Sequence, residues 1–106
     1  MVKRFEVYLV DLDPTRGSEI QKLRPALVLS PNEMNKYLRT VIIAPMTTKG
    51  RNFPTRVEFS FGGKDGQIAL DQIRSVDKSR LVKHLGPMDP DVGNQALEIL
   101  QAMFEE

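Results

Sequence analysis

The stretch from residue 11 to residue 30 constrains the fold most strongly, because a polar loop runs directly into a short apolar segment. The apolar run over 26–29 is bounded by proline on both sides, which is typical of a buried core strand. An Asp-Pro pair and a glycine predict an exposed, mobile loop over 13–24. Arg24 stands where this loop enters the strand. It is either a surface residue that caps the sheet or pairs with a carboxylate, or a positioned guanidinium that binds a phosphate.

Other runs of β-forming residues, separated by turn residues, predict strands over 6–12, 40–46, 56–61, 67–76 and 81–85. The strand predicted over 40–46 should end or bulge at Pro45, since proline cannot donate to a sheet ladder. Asp71-Gln72 predicts a bulge or bend, residues 62–66 predict a hairpin turn, and residues 77–80 predict a turn.

Two helices are predicted. Ser30-Pro31, as N-cap and first helical residue, and Glu33 form a capping-box pattern for a short helix over 32–37. Asp89-Pro90 begins a terminal helix whose apolar residues recur at helical spacing and form one stripe. We therefore expect one domain over residues 1–106, a small, mostly antiparallel barrel or half-barrel with a helix packed on it.

The composition excludes several kinds of site. Zero cysteines and one histidine exclude a disulfide framework, a thiolate zinc site and most histidine-based metal sites, so no cofactor is expected. A net charge of +1 restricts nucleic-acid binding to a local patch. No apolar run approaches the ~18 residues of a membrane span, and the first residues lack a signal peptide's apolar core. A cytoplasmic protein is expected.

Polar residues suited to phosphodiester chemistry lie at strand ends and in loops, which converge on one rim in a small barrel. Arginine neutralises charge on a phosphorane, threonine donates to phosphate oxygens and a carboxylate accepts a proton. The candidates are Arg16, Ser18, Glu19, Arg24, Thr47, Thr48, Arg51, Asp71, Gln72 and Arg74.

Each candidate also has a structural interpretation. Thr47-Thr48 can hydrogen-bond a turn, and Asp71 can pair with Arg24 or Arg74. Phe53 can anchor a loop rather than stack on a base. The basic residues Lys78, Arg80, Lys83 and His84 can form a solvated face.

The order of residues is more specific than their types. Four segments carry it: 7–19 with Asp-Pro-Thr-x-Gly-x-Glu, 24–30 beginning Arg-Pro, 44–48 with Pro-Met-Thr-Thr, and 69–77 with Asp-Gln-x-Arg. Together they resemble the MazF/PemK toxin family, small bacterial endoribonucleases of toxin–antitoxin modules. The resemblance implies an SH3-like barrel of the MazF/CcdB/Kid type with a C-terminal helix, usually a homodimer. It implies metal-independent cleavage of single-stranded RNA at short sequences and inhibition by a cognate antitoxin, which alone links the toxin to DNA.

Position by position, Arg24 matches the family's catalytic arginine and Thr47 its catalytic threonine. Glu19 matches the acidic loop residue, and both Glu19 and Asp71 are candidates for the base. The expected RNA-binding residues are Arg16, Ser18, Thr48, Arg51, Phe53, Gln72 and Arg74. Phe5 stands where many relatives have glycine.

Two alternatives belong to other functional classes. The same barrel occurs in gyrase-poisoning toxins, which bind a topoisomerase and cleave nothing, and a degenerate barrel can persist as a binding module. The chain keeps its Arg-Pro and Pro-x-Thr pairs and ends Met103-Phe104-Glu105-Glu106 without tryptophan, which favours the nuclease.

Overall fold

The computed structural model describes residues 1–20, 22–48 and 50–106; Gln21, within the loop predicted over 13–24, and Lys49 lie outside them. The elements, in chain order, are β1 (Glu6–Asp11), β2 (Leu23–Val28), α1 (Asn32–Tyr37), β3 (Thr40–Thr48), β4 (Arg56–Phe61), β5 (Lys64–Ala69), β6 (Arg74–Asp77), β7 (Leu81–Pro87) and α2 (Pro90–Met103). Single 3₁₀ turns cover Leu70–Gln72 and Lys78–Arg80. The predicted fold class, a mostly β domain with a short helix and a terminal helix, is confirmed.

All strand pairs are antiparallel, in the order β4-β5-β3-β2-β1-β7, and β6 pairs with β3 beside this path. β3 is shared between two parts of the sheet: its first half pairs with β6 and its last three residues pair with β5. The expectation that the strand ends or bulges at Pro45 is wrong, because β3 continues to Thr48. Pro45 is the last residue paired with β2, directly before β3 begins to pair with β5, so its missing N–H falls at the change of partner.

Alternate residues of the strands face two apolar cores. On β2, Leu27 packs into one core, which α2 covers with Ala96, whereas Ala26 and Val28 pack into the other. The second core also contains Val41 from β3. Burying both faces of β2 explains why its sequence is an uninterrupted apolar run rather than an alternating one.

The β4–β5 hairpin turns within two glycines. Phe61 pairs with Lys64 across Gly62-Gly63, whose φ angles of 58° and 77° both lie in the left-handed region that glycine adopts freely. The hairpin turn predicted over 62–66 is thereby narrowed to two residues. The strand predicted over 67–76 is two strands, separated by the 3₁₀ turn at the position of the expected bend.

The capping box predicted for α1 is wrong, although the helix bounds are confirmed. Pro31 is the N-cap, and no side chain caps this helix. The Ser30 hydroxyl instead donates to Oδ1 of the buried Asn35 at 2.5 Å and accepts from the Ile42 N–H at 3.0 Å. The start predicted for α2 is confirmed, since the Asp89 carboxylate accepts from the Asp91 N–H at 2.9 Å and Pro90 follows the cap.

The Phe5 ring packs against Gly93 near the start of α2. Phe5 has a φ of 70°, a backbone conformation that favours glycine. A Cβ added to Gly93 would lie 2.7 Å from the Phe5 ring, so the ring packs directly on the helix backbone. Glycine inside α2, unfavourable for an isolated helix, is thus explained by this contact.

The basic residues near β7 are more than a solvated face. The Lys78 ammonium donates to the Asn35 carbonyl, and the Arg80 guanidinium donates to the carbonyls of Asp11 and Asp13. His84 Nε2 lies 2.7 Å from a Glu6 carboxylate oxygen. Within the part of the chain that the structure describes, neither helix has both the length and the apolar character needed to cross a membrane.

Candidate active site

Arg24 and Thr47 are brought together by the pairing of β2 with β3. The β2–β3 ladder ends where Ala26 lies opposite Pro45, and Arg24 and Thr47 each stand two residues beyond that last pair, on β2 and β3. Pro25 holds the intervening backbone extended, because its ring fixes φ. Both side chains line one cavity of about 420 Å³.

The cavity of Arg24 and Thr47, here called the arginine cavity, lies between β4 and β7, the first and last strands in the order β4-β5-β3-β2-β1-β7. Phe61 on β4 and Leu85 on β7 contribute to its wall, and a Cβ added to Gly86 on β7 would lie 3.8 Å from the Phe61 ring. Its apolar lining residues are Pro25, Met46, Phe59, Phe61 and Leu85, and its polar ones are Arg24, Thr47, Thr48, Lys64 and Asp65. Hydrogen-bond donors and cations on an apolar wall bind an anionic group more strongly than they would in open water.

Lys64 and Asp65 are lining residues that sequence reasoning missed. They were assigned to the hairpin turn, but the two-glycine turn makes them the first residues of β5 and places them beside the arginine cavity. The only local signal was the Gly-Gly pair, which predicts a two-residue turn.

Glu19, Asp71, Gln72 and Arg74 line a second cavity of about 430 Å³, together with Leu12, Ile20, Pro45 and Ile73. We call it the loop cavity. The predicted site is therefore divided between two cavities, with Arg24 and Thr47 in one and both candidate bases in the other. β3 contributes to both, through Pro45 to the loop cavity and through Thr47 to the arginine cavity.

Polar residues of the loop cavity hold the β1–β2 loop in place. The Gln72 side-chain oxygen accepts from the Ile20 N–H at 2.8 Å, and the Arg74 guanidinium donates to the Leu12 carbonyl at 3.1 Å. Within the loop, the Glu19 carboxylate accepts from the Arg16 N–H at 2.5 Å. These contacts give Gln72 and Arg74 a structural role beside the predicted RNA-binding one.

Asp71 pairs with Arg56 rather than with Arg24 or Arg74. The Arg56 guanidinium donates to both carboxylate oxygens, at 2.8 and 3.2 Å, and the Thr55 hydroxyl donates at 3.1 Å. Burial by itself raises the pKa of the Asp71 carboxyl, but the hydrogen bonds from Arg56 and Thr55 outweigh it and hold the pKa below its ordinary value of 3.8. Asp71 is therefore ionised at neutral pH.

Among residues 1–20, 22–48 and 50–106, no three histidine or carboxylate side chains are grouped as metal ligands would be.

Comparison with known proteins identifies the family. Residues 3–104 match the family model described as the PemK-like, MazF-like toxin of type II toxin-antitoxin systems. The chain belongs to this family. It is 41% identical over 91 residues to the endoribonuclease MazF of Staphylococcus saprophyticus, covering 80% of this chain and 76% of that protein.

Solved structures of MazF toxins share the fold. The crystal structure of MazF from Deinococcus radiodurans superposes with a TM-score of 0.85 at 27% identity, covering 96% of this chain and 94% of that one. A mycobacterial endoribonuclease in complex with its cognate antitoxin gives a TM-score of 0.81 at 26% identity, covering 96% and 93%.

The other RNA-binding residues predicted for this MazF-like toxin differ in placement. Thr48 lines the arginine cavity. Arg16 and Ser18 are exposed in the β1–β2 loop, and Arg51 and Phe53 are exposed in the β3–β4 loop. None of these four lines the arginine cavity or the loop cavity. The Phe53 ring centre lies 5.8 Å from the Arg56 guanidinium, which links that loop to Asp71.

Replacing Asp71 by asparagine tests its two roles. Because its folded-state pKa is lowered, the charged Asp71 stabilises the fold above the ordinary value of 3.8, and this contribution is lost as pH falls through the folded pKa. We expect Asp71→Asn to lower the free energy of unfolding by about 1 kcal/mol near neutral pH, since solvent screens a partly exposed pair.

Chemical unfolding at several pH values measures this effect, and the difference between parent and variant should shrink below pH 3.8. A pH-independent difference would contradict the ion-pair role. A loss of cleavage beyond what the unfolded fraction explains would support the base role instead.

Proposed function

We propose that this MazF-like toxin is an endoribonuclease that cuts single-stranded RNA at short sequences, using the RNA's own 2′-hydroxyl and no metal ion. The observation that carries the proposal is the shared cavity of Arg24 and Thr47, the two residues that match the family's catalytic pair. The name of the staphylococcal relative, endoribonuclease MazF, supports the same reaction class.

In this reaction the 2′-oxygen attacks the adjacent phosphorus, a P–O2′ bond forms and the P–O5′ bond breaks. The products are a 2′,3′-cyclic phosphate and a 5′-hydroxyl, so the 2′-hydroxyl loses one proton and the leaving oxygen gains one. The Arg24 fork binds the non-bridging oxygens, whose charge grows in the phosphorane. The Thr47 hydroxyl donates to a phosphate oxygen or orients the attacking hydroxyl. DNA lacks the nucleophile and is not cut.

Three carboxylates are candidates for the proton transfers. Glu19 and Asp71 match the family's polar positions, but both line the loop cavity. Asp65 lines the arginine cavity with Arg24 and Thr47, so we add it to the candidates. The lowered pKa of Asp71 makes its carboxylate a weaker base than an ordinary aspartate carboxylate.

We further propose that the toxin is a cytoplasmic homodimer controlled by a cognate antitoxin of the MazE/PemI type. The mycobacterial relative with a similar fold was solved with its antitoxin. An acidic antitoxin tail that folds on binding would be attracted to Arg16, Arg24 and Arg51 and would compete with RNA. Contact with DNA would then pass through the antitoxin alone.

Incubation of the pure protein with single-stranded RNA and with DNA, in excess EDTA, tests the proposal. We expect RNA to be cut and DNA of the same sequence to stay intact. Cleavage that is abolished by EDTA and restored by Mg²⁺ would overturn the mechanism. A protein that cuts neither polymer would instead fit the topoisomerase-binding alternative.

A further inference from the structure

Gln67 is a buried polar residue in the middle of the sheet. It lies on β5, paired with Thr47 on β3 and with Glu58 on β4, and it is 1% exposed. A buried amide is costly unless its donors and acceptors find partners, so its contacts indicate why a polar residue stands at this position.

The partners of Gln67 are backbone carbonyls of the β3–β4 loop. Its Nε2 donates to the Arg51 carbonyl at 3.1 Å and reaches the Gly50 carbonyl at 3.5 Å. Within the described residues, the β3–β5 ladder ends where Thr48 pairs with Gly66, so this side chain holds the loop beyond the last ladder pair.

The far end of the same loop is also anchored. The Arg56 N–H donates to the Phe53 carbonyl at 3.0 Å, and the Arg56 guanidinium lies under the Phe53 ring while it pairs with Asp71. Gln67 thus holds Gly50 and Arg51, and Arg56 holds Phe53 where the loop returns to β4.

We propose that Gln67 is a positioning residue, which fixes Gly50 and Arg51 relative to the arginine cavity and so sets which RNA sequence is cut efficiently. The inference rests on the proposed endoribonuclease function. Gln67 itself is buried and acts through the loop, whose side chains Arg51 and Phe53 are exposed to a bound strand. A loop held in one conformation binds RNA without first being ordered, and it presents one set of contacts to the bases.

We call the hydrogen bonds from Gln67 to the Gly50 and Arg51 carbonyls the clamp. Two substitutions that keep the size of the Gln67 side chain test it. Gln67→Met removes both donors, and Gln67→Glu places a carboxylate against two carbonyl oxygens. We expect kcat/KM at the preferred sequence to fall about tenfold in Gln67→Met, mainly through KM, and more in Gln67→Glu. The ratio of cleavage at the preferred sequence to cleavage at other sequences in a randomised RNA pool should fall by about the same factor.

Asn35→Ala is the matched control. Asn35 is also a fully buried amide, but it bonds Ser30 next to α1 and lines neither cavity. Asn35→Ala should lower the melting temperature without changing the sequence preference. If the Gln67 variants lose stability as this control does and keep the parent's preference, Gln67 is only a packing residue and the proposal is overturned.

Limited trypsin digestion gives a readout that needs no RNA. Cleavage after Arg51, identified by mass, should be about tenfold faster in Gln67→Met than in the parent. In the variant, the loop can open to the protease without first breaking the hydrogen bonds from Gln67. An increase no larger than that of Asn35→Ala would contradict the clamp. If the parent cuts no RNA, the proposed function fails and the preference claim fails with it, whereas faster digestion of Gln67→Met would still support the clamp.

Discussion

Replacing Gly66 by alanine is expected to destabilise the protein strongly, because the added methyl group has no room within the sheet. Gly66 is buried on β5 between Thr48 on β3 and Phe59 on β4. An added Cβ would lie 2.3 Å from the Thr47 carbonyl oxygen and 2.7 Å from the Phe59 ring. The ring can turn away, but the carbonyl can move only if β3 moves. We expect a loss of about 3 kcal/mol, the upper end for overpacked cores.

Thermal and chemical unfolding measure this loss, and the melting temperature should fall by roughly 10 °C or more. Gly63→Asn is the matched control, since it changes a glycine of the same hairpin that has open space around it and a left-handed φ that asparagine tolerates. Cleavage should fall as well in Gly66→Ala, because the displaced carbonyl belongs to Thr47. If the free energy of unfolding of Gly66→Ala lies within ~0.5 kcal/mol of the parent's, β3 can shift at little cost, which would contradict this packing.

Elements with local signals were predictable from the sequence. Asp89-Pro90 begins α2 because the cap and the first turn are satisfied by neighbouring residues. Ser30 failed as a cap because Asn35 and the Ile42 N–H, which local patterns do not register, compete for its hydroxyl. Pro45 failed as a strand end because β3 changes partner there, and only the assembled sheet shows that.

The sequence predicted Arg24 and Thr47 as one pair, each at a motif near a strand end, and the structure places both at one cavity. The partner of Asp71 was not predictable. Arg56 begins β4 and Asp71 lies in the 3₁₀ turn after β5, so only the folded β4–β5 hairpin brings the two side chains together. The burial of Gln67 was not predictable. An isolated glutamine in a run of β-forming residues is usually exposed, whereas here the β3–β4 loop bonds to its side chain.

Replacing Arg24 by lysine is expected to have the largest effect on activity. Arg24 is held at the start of β2 by Pro25 and lines the arginine cavity beside Thr47. Lysine keeps the positive charge but loses the planar fork that binds two phosphate oxygens together. Because that fork is needed most when charge builds on the phosphorane, cleavage should fall by about 10²-fold or more, the scale of losing one oxyanion donor. Arg39→Lys, at an exposed position outside both cavities, should match the parent.

The most direct test compares two quantities for Arg24→Lys and the parent, both shown to be folded by circular dichroism. One is the single-turnover cleavage rate of a single-stranded RNA in EDTA, and the other is the affinity for the same RNA carrying a 2′-deoxy nucleotide at the cut position. We predict a loss of cleavage of about 10²-fold or more, with a change in affinity below about tenfold, because other cations still neutralise phosphates. Cleavage by folded Arg24→Lys within a few fold of the parent would contradict the assignment of Arg24 to the transition state.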